Sequence, residues 1–240
     1  GKFYDYEIVS REGARGWGIA LGLLKDSSSG SFWYERAAEN GHPLAQYNIG
    51  YWYTDWPGFR TECRHKNIEK ANYWLNLAAR KGLGFAQDLL PLDLLLAIAE
   101  QGVDRQEDYK GERGRVQYLI GLRYAKGSAG SRDFSRAVYW LQQAAVLGYR
   151  GALFCLGELA EKEEGGLTVQ QAVDFYTRSV EKDKDVHALK QLGVIYHEGR
   201  KDIPANEEQA LGYFRKAYEL RDAFLEMDKD FFYRLGCLLE

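Results

Sequence analysis

The 240-residue chain carries few side chains able to do chemistry, and their spacing decides what they can do. Four histidines occur: His42, His65, His187 and His197. On one helix, His187 and His197 would stand roughly 15 Å apart at ~1.5 Å rise per residue, too far to share a metal ion. Cys63-x-His65 is the nearest thing to a ligand pair, but a zinc site needs further ligands and none stands at a recognisable spacing. With Cys155 and Cys237 the cysteines number three, widely spaced and without a C-x-x-C pair. That argues against a disulfide framework and leans towards a reducing compartment. Asp183 and Asp185 lack the glycine and distal glutamate of a calcium loop. Gly13, Gly16 and Gly18 follow no strand and make no dinucleotide fingerprint. No nucleophile-elbow, zinc-protease or phosphate-loop phrase is present. Glu163-Glu164 lies in a charged stretch with no apolar pocket to raise a carboxyl pKa. The expectation is a protein with no catalytic residue, no cofactor and no metal.

The elements that would position any site follow from composition and pattern. Hydrophobic residues make up 45% and charged residues 28%, ordinary for a soluble folded protein. A net charge of −3 gives no bulk attraction for nucleic acid. The strongest apolar run, Leu89 to Ala99, is interrupted by Pro91 and Asp93 and falls short of the roughly 20 residues a membrane span needs. No export signal is visible from Gly1 onward, so a cytoplasmic site and a bacterial periplasmic one, after signal removal, are both expected possibilities.

Self-comparison supplies the main signal. A phrase Ala-x-x-x-Leu/Ile-Gly reads Ala45…Ile49-Gly50, Ala152…Leu156-Gly157 and Ala188…Leu192-Gly193. Val116…Ile120-Gly121 and Phe231…Leu235-Gly236 keep its register, and Gly121, Gly157 and Gly193 are spaced by 36 residues. A second phrase lies between: Ala71-x-x-Trp74-x-x-x-Ala78-Ala79-x-x-Gly82, echoed by Ala137, Trp140, Ala144-Ala145 and Gly148. Weaker copies hold Phe175 and Tyr213 at the Trp position, and Trp33-x-x-x-Ala37-Ala38-x-x-Gly41 is the first copy. Apolar residues three, four and seven apart line one face of a helix. The closing glycine suits a left-handed C-cap, and Thr168 with Gln171, like Asn206 with Gln209, reads as an N-terminal capping pair. The unit is therefore helix, loop, helix and tight turn. One hairpin cannot bury its apolar face alone, so neighbours must stack. The aromatic three residues after the leading Ala is expected to fill the space between helices.

These phrases resemble the Sel1-like repeat family, a relative of tetratricopeptide repeats. Tyr53, Tyr124 and Tyr196 stand three after the glycine, where the family carries Tyr, and Lys70-Ala71 and Arg136-Ala137 match its basic-Ala opening of the second helix. The resemblance implies an all-α, right-handed α/α superhelical solenoid of helix-turn-helix repeats, a single domain over residues 1–240. Its expected repeats are 13–42, 43–82, a degenerate 83–114, 115–149, 150–185 and 186–222, with a capping helix over 223–240. In the degenerate stretch Pro91 replaces the glycine and 103–114 is charged and aperiodic.

The resemblance also implies a partner face. In related solenoids the first helix of each repeat lines the concave surface, which places Tyr47, Tyr51 and Asp55; Tyr118, Leu122 and Lys126; Phe154, Glu158 and Lys162; and Lys190, His197 and Glu198 on it. The long 54–67 loop adds Trp56 and Phe59 as candidates. Another protein is the expected partner, with no nucleic acid and no membrane insertion. The expected function is a non-catalytic protein–protein interaction module: an adaptor, scaffold or inhibitor. A bacterial immunity protein neutralising a secreted toxin is a sharper form of that reading. An envelope protein binding small ligands or glycans on Tyr and Trp platforms is the competing one.

Overall fold

A computed structural model describes residues 35–54, 67–101, 109–127 and 130–220, the side chains of 109–112 excepted. Trp33, Asp55, Trp56, Phe59, Cys63, His65, Cys237 and the expected capping helix 223–240 lie outside the described residues. The chain divides into two compact units, 1–107 and 108–240. In the first, α1 (Pro43–Trp52) and α2 (Ile68–Arg80) form one hairpin, and α3 (Gly84–Leu89) and α4 (Leu92–Gln101) follow. In the second, three hairpins follow one another: α5 (Tyr109–Lys126) with α6 (Phe134–Val146), α7 (Ala152–Glu161) with α8 (Val169–Asp183), and α9 (Val186–Glu198) with α10 (Glu207–Glu219). Among the described residues there is no strand, so the fold is all-α as the pattern implies.

The glycine of the first phrase exists for close packing. A Cβ on Gly50 would come 2.8 Å from Leu75 Cγ, and one on Gly121 2.7 Å from Leu141 Cγ. At Gly157 and Gly193 the rings of Tyr176 and Phe214 sit closer still. Leu75, Leu141, Tyr176 and Phe214 stand four residues after the leading Ala of their second helices, and each is almost wholly buried. This corrects the sequence expectation, which gave that role to the aromatic three residues after the Ala; of those, Phe175 is buried in the core, but it is Tyr176 that meets the glycine. Trp74 and Trp140 are only half-buried, each met edge-on by an exposed tyrosine, Tyr73 at 5.2 Å and Tyr139 at 5.4 Å. The reason is angular: the fourth residue lies just past one full turn from the leading Ala, on the face towards the partner helix, whereas the third falls short of a full turn.

Helix ends are built as the residue types dictate. Asn67, Asp133, Thr168 and Asn206 each accept a hydrogen bond on the side chain from the amide three residues on, and Thr168 with Gln171 completes a capping box. Gly41, Gly82 and Gly148 close second helices at φ near +80° (+85°, +80° and +82°), a conformation that costs an L side chain roughly 1 kcal/mol or more. In the next repeat Lys184 takes the left-handed place, at φ +49°.

The family tyrosine ties loop to helix in two ways. The carbonyls of Tyr53, Tyr124 and Tyr196 accept from the amides of Asn67 (3.1 Å), Asp133 (3.1 Å) and Asn206 (2.7 Å), the N-caps of the following helices. Their rings pack on side chains of the second helix. Lys70 Nζ lies 5.5 Å above Tyr53 and the Arg136 guanidinium 5.5 Å above Tyr124, while Tyr213 stacks on Tyr196 at 5.7 Å. In the 150–185 repeat Ala160 stands where the tyrosine would be and Gln171 where the cation would be. Its loop instead turns through a 3-10 segment at Glu164–Gly166. Neighbouring repeats are joined by buried glutamines: Gln46 donates to the Ala38 carbonyl (3.0 Å), and Gln87 to that of Ala79 (3.2 Å).

Among the described residues of the 83–114 stretch, two helices flank Pro91. Leu90 takes an extended backbone (φ −68°, ψ 143°), as a residue before proline prefers, so α3 ends after six residues and α4 starts at once. Helix α5 begins at Tyr109, ahead of the expected repeat boundary at 115.

The packing predicts opposite outcomes for two glycines. Gly157→Ala should lose about 1–3 kcal/mol through collision with the Tyr176 ring, more than the ~1 kcal/mol of helix propensity it gains. Gly212→Ala, with open space around the new methyl, should gain up to ~1 kcal/mol. Urea titration of both variants checks this, and equal stabilisation at the two sites would refute the packing role.

Candidate partner-binding face

The first helices of the hairpins, α1, α5, α7 and α9, with the residues at their ends, carry the side chains the sequence placed on the partner face that lie among the described residues. Two residues after the leading small residue stand Tyr47, Tyr118, Phe154 and Lys190. In the first unit Tyr47 is buried, its ring stacked on Tyr51 at 5.8 Å and tilted against Phe85 at 6.4 Å. Burial, then Tyr51 and Asp88, push the Tyr47 phenol up to about 12, and burial raises Tyr51 as well. What this cluster offers to solvent is Phe85, 61% exposed, with Leu89 one turn further along α3.

In the second unit Tyr118 packs its ring 4.9 Å from Tyr149 and brings its hydroxyl 3.6 Å from Cys155 Sγ. Arg115 Nη1 donates to the Tyr149 hydroxyl at 3.2 Å. Phe154 lies 5.6 Å from the Tyr176 ring and 6.2 Å from His187. One rule covers Tyr47–Phe85, Tyr118–Tyr149 and Phe154–His187. The ring two after the leading residue of one repeat meets a ring one or three before the leading residue of the next. Phe85, Tyr149 and His187 were not among the residues expected on this face. Their signal was available, because each sits just upstream of the Ala-x-x-x-Leu register in its repeat.

Charges occupy the later turns. Lys126 and Lys162 are exposed, Leu122, Lys190 and His197 half-buried. Glu198 is engaged by Arg200 (2.8 Å), which also reaches Glu161 (3.2 Å), and Glu161 in turn accepts the Tyr176 hydroxyl at 3.2 Å. Arg200 thereby links the 150–185 repeat to the 186–222 repeat. Glu158 differs from its neighbours: it is half-buried and has no hydrogen bond or ion pair among the described residues. Burial raises its pKa, with Glu161 adding to the rise and Lys162 opposing it. Burial also pushes up the Cys155 thiol, which is therefore protonated at neutral pH and a poor nucleophile. Among the described residues no three His, Cys, Asp or Glu side chains group as a metal site, and no helix is long and apolar enough to cross a membrane.

The raised Glu158 pKa has a stability consequence. A carboxyl whose folded pKa exceeds its unfolded value carries a full penalty above the folded pKa and none below the unfolded one, near ~4.3. Glu158→Gln should therefore raise the Tm at pH 7 and match wild type at about pH 3. Thermal melts at the two pH values test this, and a variant less stable than wild type at pH 7 would contradict it.

Compared with known proteins, the Sel1 repeat pattern matches residues 14–42, 43–55, 63–83, 115–149 and 186–222, more than half of the chain. The 150–185 repeat, which lacks the tyrosine and its cation, is left out, as is the Pro91 stretch. The chain is 26% identical over 211 residues to chitin synthase regulatory factor 3 of Schizosaccharomyces pombe. That match takes in 82% of this chain and only 22% of the relative, so the chain spans about a fifth of the relative's length. Among solved structures, a protective antigen of uropathogenic Escherichia coli displaying an SLR fold aligns with a TM-score of 0.52 at 21% identity, over 89% of this chain and 44% of that one. A Sel1 repeat protein from Oxalobacter formigenes aligns at 0.47 and 20% identity, over 87% and 59%. Sel1 repeat proteins generally act as non-catalytic scaffolds that mediate protein–protein interaction. On the match over more than half its length, this chain belongs to the Sel1 repeat family.

Proposed function

We propose that the chain is a non-catalytic interaction module that holds another protein against the first helices of its repeats. The observation that carries this reading is the ring cluster of the first unit. Phe85 stands 61% exposed beside the Tyr47–Tyr51 stack, although an apolar ring of that size is ordinarily buried. Aromatic rings held rigid by their neighbours favour binding, because little side-chain freedom is lost on contact. In the second unit Tyr118, Phe154 and Glu158 make up the corresponding face, with Leu122, Lys126, Lys162, Lys190 and His197 around them. Asp55, Trp56 and Phe59 stay in the proposal on sequence alone.

Within this class the adaptor reading is preferred to toxin neutralisation. A relative over most of this chain is named as a regulatory factor of an enzyme, chitin synthase, which suits a module that brings a regulator to its target. Tyr47 is too buried to be a clean probe of binding; its truncation tests the fold. Phe85→Ala and Tyr118→Leu are better baits. Affinity purification from native-source lysate should recover a protein with wild type and lose it, on the order of tenfold or more, with either variant, provided circular dichroism shows both folded. A partner indifferent to both substitutions would refute this face, and binding of oligosaccharide in place of protein would favour the ligand-binding alternative.

A further inference from the structure

Glu158 is the one charge on the second unit's face that is half-buried yet has no hydrogen bond or ion pair among the described residues. Lys162, one turn on, is exposed and does not reach it within ion-pairing distance, and Glu161 is committed to Arg200 and the Tyr176 hydroxyl. Burial chiefly pushes up the Tyr118 and Tyr176 phenols, and the nearby Glu158 carboxylate adds to the rise, so it lends a negative potential to the ring surface beside it. A partly desolvated carboxylate without a partner is unfavourable in the isolated chain and gains most from a cation supplied from outside. Exposed Lys126 and Lys162 contribute less, because solvent and salt screen them.

The spacing adds a shape. Phe154 and Glu158 are one helical turn apart on α7, which separates ring and carboxylate by roughly 6 Å along the axis. Two residues of an extended segment span that distance at about 3.3 Å each. The methylene stem of a lysine or arginine can lie along the Tyr118 and Phe154 rings while its head reaches the carboxylate.

We infer that the second unit takes an extended protein segment in which a lysine or arginine pairs with Glu158 and an apolar side chain two residues away rests on Tyr118 and Phe154. This rests on the interaction-face reading above and adds to it the chemistry of the partner.

The test begins with a random dodecapeptide library displayed on phage and selected on the whole chain. Enriched sequences should carry a basic residue two positions from an apolar one. A synthetic peptide of the consensus should bind wild type in fluorescence polarisation. It should lose on the order of tenfold or more on Glu158→Gln, whose fold a melt verifies. Changing the peptide's basic residue to glutamate should abolish binding to wild type and restore it to Glu158→Lys. Enrichment without a basic residue, or Glu158→Gln binding within about twofold of wild type, would overturn the inference. In that event, peptides weakened by Tyr118→Leu would leave the interaction face standing without its cation, whereas peptides indifferent to both substitutions would remove the face as well.

Discussion

The structure depends on how closely two helices of one hairpin approach. A single hydrogen in place of a side chain at Gly50, Gly121, Gly157 and Gly193 lets Leu75, Leu141, Tyr176 and Phe214 lie flat against the neighbouring backbone. Close approach brings dispersion contacts at many atoms at once, and it is repeated in each of these four hairpins. Where proline stands in its place, the first helix is cut to six residues. The size of the seated side chain varies between Leu, Tyr and Phe, so the constraint is on the glycine and on the register four residues after the leading Ala.

That packing fixes the faces. With one side of each first helix committed to its glycine contact, the flank beside that contact is left to carry what meets solvent or a partner. The rings of Tyr118 and Phe154 stand there partly because they also join one repeat to the next, through Tyr149 and His187. The same residues thus serve stacking and recognition. Glu158 does not fit that economy: among the described residues it has no hydrogen bond or ion pair, and its burial works against the fold that holds it. Residues that strain a fold are retained most readily where an interaction needs them.

Much of this was legible in the sequence. Periodicity gave helices and their alternation, and local chemistry marked Thr168 and Asn206 as caps; Asn67 and Asp133, not singled out in the sequence, cap in the same way. Which aromatic fills the space between helices was misjudged, since Trp74 and Trp140 outweigh Leu75 and Leu141 in bulk while the helix rotation favours the latter pair. Phe85, Tyr149 and His187 were missed for a different reason. They precede the phrase that defines the register, and their contacts are with another repeat, a relation no single-repeat pattern encodes. That Glu158 has no hydrogen bond or ion pair among the described residues is a statement about three-dimensional surroundings, with no signature in the chain.

The hydrogen bond from each N-cap amide to the carbonyl of the family tyrosine acts as a clasp at the base of the intervening loop. Once that base is pinned, the length of chain above it is thermodynamically almost free, since loop-closure entropy grows only logarithmically. The stretch from Tyr53 to Asn67 is longer than those from Tyr124 to Asp133 and from Tyr196 to Asn206, yet all three close on the same bond. The clasp makes these loops the places where the chain can accept insertions and acquire new binding segments while the helical frame beneath stays as it is.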